Sequence, residues 1–235
     1  MYGEYSIGEE YSSAINGISI VVKRLTHNLC YYERNGVLQP VRLKFSCRRR
    51  IGIYPVAPLH TPFRLTQLIY VRLVNPIAIA PGKTLQLYIY LPVEIGVFAL
   101  EPHGLIDVFS PETPKYGVYG TPEQGIIGRI IYTEAYSSRP PSQSFRALSL
   151  LIITNSSNSW VNVTRIIIPG GRLRYHYSLE RVFGPRIFMN IESPRLATVM
   201  VRDEHYMGTR PGPYPESNGF RYVANNDKYV MIWGV

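Results

Sequence analysis

Apolar and polar positions alternate with a period of two along almost the whole chain, as in strands that bury one face. The alternation predicts strands over 18–25, 41–46, 51–54, 66–74, 84–98, 105–109, 126–132, 147–154, 161–168, 172–179, 186–191 and 196–202. No stretch has the three-to-four-residue apolar spacing of an amphipathic helix. The expected class is therefore all-β, with antiparallel β-sandwiches assembled from immunoglobulin-like meanders. Cys30-Tyr31-Tyr32-Glu33-Arg34 and Val37-Leu38 flank Asn35-Gly36, a pair that accepts the positive φ of a type I′ hairpin turn. A second hairpin is expected where Phe220-Arg221-Tyr222-Val223 and Lys228-Tyr229-Val230-Met231-Ile232-Trp233 flank Asn225-Asn226-Asp227.

The pattern also echoes itself. Leu68-Ile69-Tyr70-Val71-Arg72-Leu73-Val74-Asn75 leads through a short strand to Pro81-Gly82 and then Leu85-Gln86-Leu87-Tyr88-Ile89-Tyr90-Leu91. The same order returns in Leu148-Ser149-Leu150-Leu151-Ile152-Ile153-Thr154-Asn155, a strand ending at Ile168, Pro169-Gly170-Gly171 and Leu173-Arg174-Tyr175-His176-Tyr177-Ser178-Leu179. Two related sandwich halves are expected, residues 1–115 and 116–235, joined where Pro and Gly cluster between Pro111 and Gln124. The alternative is one domain over 1–235 in which both meanders share a core. If the echo is structural, the meanders superpose strand for strand, with both Pro-Gly turns at the same end.

Composition narrows the class. With 235 residues, 46% apolar and 17% charged, the chain is long and apolar enough to bury a core, which excludes intrinsic disorder. No uncharged apolar run approaches the roughly 20 residues of a membrane-spanning helix. The start, Met1-Tyr2-Gly3-Glu4-Tyr5 followed by Glu9-Glu10, lacks the basic-then-apolar order of a signal peptide, so a cytoplasmic protein is expected. Cys30 and Cys47 form neither a CxxC pair nor a metal box; two buried thiols are expected ahead of a bridge between neighbouring strands. The five histidines are dispersed, so neither metal nor cofactor is expected. Nucleophile-elbow, phosphate-loop and dinucleotide signatures are absent, which favours a non-enzymatic protein.

Charge speaks to partners. Lys+Arg 25 against Asp+Glu 16 gives +9, and 20 of the cations are arginine, which pairs bidentately with carboxylate and phosphate. An acidic partner fits; the arginine usage of a thermophilic or GC-rich host is the other source of this balance. Two basic groups follow. Between Lys115 and Arg129, the glycines 117, 120 and 125 let backbone amides turn toward an anion, with Tyr116 and Tyr119 as stacking faces. The alternative is a linker whose tyrosines pack between the halves. In 172–179, Arg172, Arg174, His176 and Ser178 share a wet face, with Arg181 and Arg186 close behind and Arg48-Arg49-Arg50 as a further contribution. The alternative there is an edge strand protected by its cations.

Two acids sit among apolar neighbours. Alternation puts Glu94 opposite Leu91, Val93 and Ile95, on a wet face with Tyr88 and Tyr90, unless Pro92 introduces a bulge. An exposed or arginine-paired carboxylate is expected there rather than a catalytic one. Asp107, between Ile106 and Val108, is similar, and either acid could pair with Lys115 or Arg129.

The segments Pro92-Val93-Glu94-Ile95-Gly96-Val97, Ile106-Asp107-Val108-Phe109, Pro114-Lys115-Tyr116-Gly117-Val118-Tyr119-Gly120 and Gly125-Ile126-Ile127-Gly128-Arg129 together resemble, in that order, an archaeal family, domain of unknown function 432. The resemblance spans most of the chain and is firmest from Pro92 to Arg129. It implies an archaeal origin and brings no established activity. Glu94, Asp107, Lys115, Tyr116, Tyr119 and Arg129 carry over as pattern positions. The family pattern has a cysteine where Gly128 stands, so a thiol role there does not transfer.

The functional expectation is a non-enzymatic binding or assembly protein for a polyanionic partner, RNA or nucleoprotein foremost. The alternative is a protein–protein interaction module, as in an accessory to a membrane complex. A hydrolase using Glu94 or Asp107 comes third.

Overall fold

The structure is a computed structural model that describes residues 1–36, 39–60, 65–170, 173–179, 181–213 and 228–235. Period-two alternation becomes strand over most of its length, with no helix among the described residues. The N-terminal strands form two four-stranded sheets. In one, β2 (Glu10–Ile15), β3 (Ile18–Arg24), β4 (Leu29–Asn35) and β5 (Val41–Ser46) run as an antiparallel meander. Its inner face carries Ile18, Ile20, Val22, Cys30 and Tyr32, all buried. In the other, β1 (Gly3–Ser6), β6 (Arg50–Val56), β9 (Glu94–Leu100) and β10 (His103–Phe109) lie in the order β1-β6-β9-β10. The hairpin expected at Asn35-Gly36 forms as β4 and β5, with Arg34 opposite Val41. Its loop is longer than two residues, and Val37 and Leu38 lie outside the described residues.

The remaining strands form two further sheets. One has the order β11-β12-β7-β14, comprising β7 (Leu68–Ile79), β11 (Tyr116–Tyr119), β12 (Ile126–Thr133) and β14 (Val161–Pro169). The other is eight-stranded and centred on β13 (Arg146–Asn155), with β8 (Thr84–Pro92) on one side. Across from β8, β13 meets β16 (Val182–Phe183) and β17 (Arg186–Ser193), continued outward by β15 (His176–Tyr177) and β19 (Arg210–Pro211) at one end and β18 (Leu196–Arg202) and β20 (Lys228–Met231) at the other. Three pairings are parallel, β12 with β7 and β13 with both β16 and β17, so the sandwich is not purely antiparallel.

The sequence echo takes a different form from two superposable meanders. Asn75 lies inside the continuous β7, whereas Asn155 ends β13. Each echo unit is an arch that leaves one sheet and enters the other, and the arches pair with each other, β7 with β14 and β8 with β13. Their turns lie together: the Gly82 N–H donates to the Asn155 carbonyl at 2.8 Å, and the buried Asn155 side chain donates to Ile79 O at 2.9 Å and Ser159 O at 2.8 Å. Strands from both sides of residue 115 therefore share these two sheets, and one hydrophobic cluster runs from Tyr2 to Val235. The chain passes between the N-terminal pair of sheets and the other pair three times, between β6 and β7, at Val93 and at 110–115.

Three expectations are corrected. First, 84–98 is not one strand: Pro92 ends β8, and Glu94 opens β9 in a different sheet, because proline cannot donate to a ladder. Second, the described part of 172–179, residues 173–179, is not a regular strand with a wet face; within it only His176 and Tyr177 form ladder pairs, His176 is buried, and Leu179, expected inside, is 89% exposed. Third, Cys30 and Cys47 form a disulfide rather than two thiols. Because Leu29 pairs with Ser46 across the hairpin, the two cysteines come to a Cα–Cα distance of 5.8 Å on the buried face. At the C-terminus, β20 pairs with β18; the expected hairpin partner at 220–223 and the turn at 225–227 lie outside the described residues.

Candidate functional site

The chemistry-bearing residues converge where the three crossings meet. On β9 the even positions Glu94, Gly96 and Phe98 share a face with Tyr54 of the neighbouring β6. That face meets Tyr177 of β15, whose ring lies 5.9 Å from that of Tyr54. Alternation set Glu94 opposite Ile95, as observed, but the break at Pro92 puts it in a different sheet from Tyr88 and Tyr90, and the second pair of sheets covers its side. Glu94 is 0% exposed instead of wet.

Its charge is met by Arg129 from β12, as one of the two expected pairings proposed. Arg129 Nη1 donates to Glu94 Oε1 and, at 3.1 Å, to the Pro58 carbonyl; Nη2 donates to Ser110 Oγ at 2.8 Å. The other carboxylate oxygen accepts the His60 backbone N–H at 2.9 Å and lies 3.2 Å from His60 Nδ1. Nδ1 is also 3.0 Å from the Ala57 carbonyl; both neighbours are acceptors, so Nδ1 carries the hydrogen. Tyr175, fully buried nearby, donates to the Pro92 carbonyl at 2.9 Å, and burial pushes its phenol far above the ordinary tyrosine value. Every crossing contributes: Pro58 and His60 from the first, Glu94 just past the second, Ser110 from the third. A buried ion pair with its remaining valences filled holds two layers in register. Chemically the arrangement is a fixed charge pair, since Glu94 has no exposure through which to exchange a proton with a substrate.

Asp107 is likewise committed, though to neither expected partner. It accepts from Tyr32 Oη at 2.7 Å and Arg34 Nε at 2.6 Å, joining β10 to β4, and Arg34 also stacks on Phe109. Burial, with the adjacent carboxylate second, drives the Tyr32 phenol strongly upward.

Beside the buried pair opens a cleft of about 330 Å³, lined by Pro92, Glu112, Thr113, Pro114, Lys115, Arg129, Ile130, Ile131, Tyr132 and Arg146. Lys115 is exposed at its rim, and Arg146 pairs with Glu112 at 2.7 Å. Tyr132 stands 59% exposed, opposite the exposed Arg72 of β7. Tyr116 is half-buried on β11, its phenol raised by burial first, with Arg129 opposing and Glu94 adding. Tyr119 is no stacking platform: it is fully buried, donates to the Gly234 carbonyl and accepts the Trp233 N–H, both at 2.9 Å. Gly128, where the resembled pattern has cysteine, packs on Tyr70, whose Cβ would lie 2.8 Å from any added side chain.

Among the described residues, most cations of the second expected basic group are engaged within the fold. Arg50 pairs with Glu4, and Arg186 is held by both oxygens of Glu204. Arg174 donates to the Gly212 carbonyl at 3.0 Å and sits 4.0 Å from Asp203, which also accepts from His176 Nε2 at 3.0 Å. Arg181 lies over Phe183. Arg48 and Arg49 are exposed, and Arg172 lies outside the described residues. His60, Ser110, Arg34, Arg146 and Tyr132 were not singled out in the sequence. Proline at 55 near the end of β6 and at 58 in the first crossing was the available signal for His60.

No group of three or more His, Cys, Asp or Glu suited to a metal occurs among the described residues. No helix among the described residues is long and apolar enough to cross a membrane. Neither a curated protein nor a solved structure matches the chain. A family model does, over residues 1–226, and by that match the chain belongs to the family described as protein of unknown function (DUF432).

Proposed function

We propose that this protein is a non-enzymatic binding module for an acidic protein partner, engaged at the cleft beside the Glu94–Arg129 pair. The observation that carries the reading is the cleft's composition: Lys115 at the rim, Arg146 in the wall and an open Tyr132, with Glu112 the only acid in the lining. Aromatic and cationic side chains around a preformed cleft are the chemistry of interface anchors. Glu94 and Asp107 are each occupied by an arginine inside the fold, which weighs against the hydrolase reading. RNA or nucleoprotein is the weaker polyanion reading, because counterion release needs several unneutralised cations in register. Arg50, Arg174 and Arg186 each face a carboxylate instead.

The test is fluorescence anisotropy with a labelled short polyglutamate peptide and a single-stranded RNA of equal charge, at low and physiological salt. The reading expects polyglutamate binding that Lys115→Glu abolishes with the thermal transition unchanged. RNA binding that survives Lys115→Glu and is lost on Arg48→Glu with Arg49→Glu would favour the polyphosphate partner instead. Absence of binding to either probe at low salt would sink both.

A further inference from the structure

The cleft contains an interrupted strand pairing. β11 runs antiparallel to β12, with Tyr116 opposite Arg129, Gly117 opposite Gly128, Val118 opposite Ile127 and Tyr119 opposite Ile126. One more bond continues the ladder, from the Ile130 N–H to the Lys115 carbonyl at 2.9 Å. Antiparallel pairing turns every second residue's N–H and C=O toward the partner strand. Since Ile130 points toward β11, Tyr132 points both its backbone groups the same way. The residue that would meet it is Thr113, yet the segment turns away at Pro114. Among the described residues no backbone hydrogen bond joins Thr113 to Tyr132. On its other side β12 is laddered to β7 from Arg129 through Thr133. Beyond Tyr132 the strand meets β8, where the Tyr90 N–H donates to Thr133 Oγ1 at 3.2 Å and Tyr88 bridges Tyr136, so the length without a ladder pairing among the described residues lies between Lys115 and β8. It forms a wall of the cleft whose lining includes Pro92, Thr113, Pro114, Ile130 and Tyr132.

We infer that this edge receives an extended acidic segment of the partner as an added strand, continuing the line of β11 past Pro114. The inference rests on the binding reading above and specifies its mode. An exposed edge supplies affinity through main-chain hydrogen bonds, while alternate side chains of the incoming strand supply specificity. Here the cations flanking the edge are Lys115 on the N-terminal side, Arg146 across the cleft and Arg72, which neighbours Tyr132 on the adjacent strand. Glu112 offsets one of them through its contact with Arg146. Carboxylates at alternate positions of the incoming strand would meet Lys115 and Arg72, and the intervening apolar side chains would rest on Ile130 and Tyr132. The cleft's roughly 330 Å³ suits two or three residues of an extended chain rather than a folded surface.

The probe is an acetylated, amidated peptide of alternating glutamate and valine, compared with the same peptide N-methylated at its central residues, which keeps charge and side chains but removes backbone donors. Wild-type protein should bind the N-methylated form roughly tenfold or more weakly, as expected for loss of one or two main-chain hydrogen bonds. Tyr132→Pro should weaken the unmodified peptide to a similar degree, because the lost N–H faces the cleft and not β7. Tyr132→Val, which keeps the N–H but removes the ring on which the segment rests, reads the side chain's own share, and Tyr132→Pro should weaken the peptide a further several-fold beyond it. Equal binding of the two peptides would overturn strand addition while leaving the acidic-partner reading intact, whereas failure of both peptides would overturn that reading itself. Sedimentation showing that the chain dimerises through this edge, with dimers lost in Tyr132→Pro, would replace the acidic segment with a second copy and overturn the inference.

Discussion

Replacing Glu94 by glutamine removes one charge from a site where nothing else can meet the other. Arg129 is 3% exposed and would keep Pro58 O and Ser110 Oγ as neutral acceptors, leaving its charge uncompensated. Breaking one side of a buried pair costs about 3–5 kcal/mol. For a chain of this size, each kcal/mol moves Tm by about 2–4 °C, so a drop on the order of 6–20 °C follows. Chemical denaturation with fluorescence and far-ultraviolet circular dichroism gives the free-energy difference, and a double-mutant cycle with Arg129→Gln isolates the pair. The two glutamines together should cost less than the sum of the singles, with a coupling of about 1–3 kcal/mol. A loss below about 1 kcal/mol for Glu94→Gln, or additive singles, would refute the assignment of Glu94 and Arg129 as the charge pair at the junction.

Three further outcomes follow. Converting Cys30 and Cys47 to serine, or reducing the bond, should lower stability by about 3 kcal/mol, the chain-entropy value for a closed loop of this length; unchanged denaturation midpoints with and without reductant would contradict the disulfide. Asn155→Ala leaves the Ile79 and Ser159 carbonyls unpaired at the joined turns and should cost roughly 2–3 kcal/mol by urea denaturation, and less than about 0.5 would dismiss its role. Tyr32 and Tyr175 keep their protons in the fold above their ordinary value of 10.0. Stability should therefore be flat with respect to these groups below pH 10 and fall above it as the unfolded chain ionises, by about 1.4 kcal/mol per pH unit per tyrosine. Tyr32→Phe and Tyr175→Phe should each flatten that alkaline decline in denaturation measured across the range.

Much of the fold was legible because burial on one face writes itself into a period of two. Strands β3 to β5, β7, β13, β14, β17 and β18 fall where alternation expected strands, whereas β1 and β2, short and polar, were not expected. What alternation cannot report is whether the opposite face is also covered. Glu94 lies opposite Ile95 as predicted yet is buried, because a second layer arrives from residues more than thirty positions away, Arg129 among them. The expected strand over 172–179 failed for the complementary reason: its alternating pattern was real, but among its described residues only His176 and Tyr177 join a strand ladder. The disulfide was not recoverable from the expected two-residue turn, which would set Cys30 opposite Val41; the longer loop sets Cys30 opposite Phe45 and so brings Cys47 alongside. The neutralised arginines were not recoverable either, because Glu4 with Arg50 and Glu204 with Arg186 are brought together by register rather than by any local motif.

Hydrogen–deuterium exchange of the protein with and without the glutamate–valine peptide tests the central claim most directly. The account predicts new protection confined to the β12 edge at Ile130–Thr133 and the Glu112–Lys115 segment, with the amide of Tyr132 slowed most. Protection centred instead on Arg48–Arg50 or on 181–186, with the β12 edge unchanged, would contradict it.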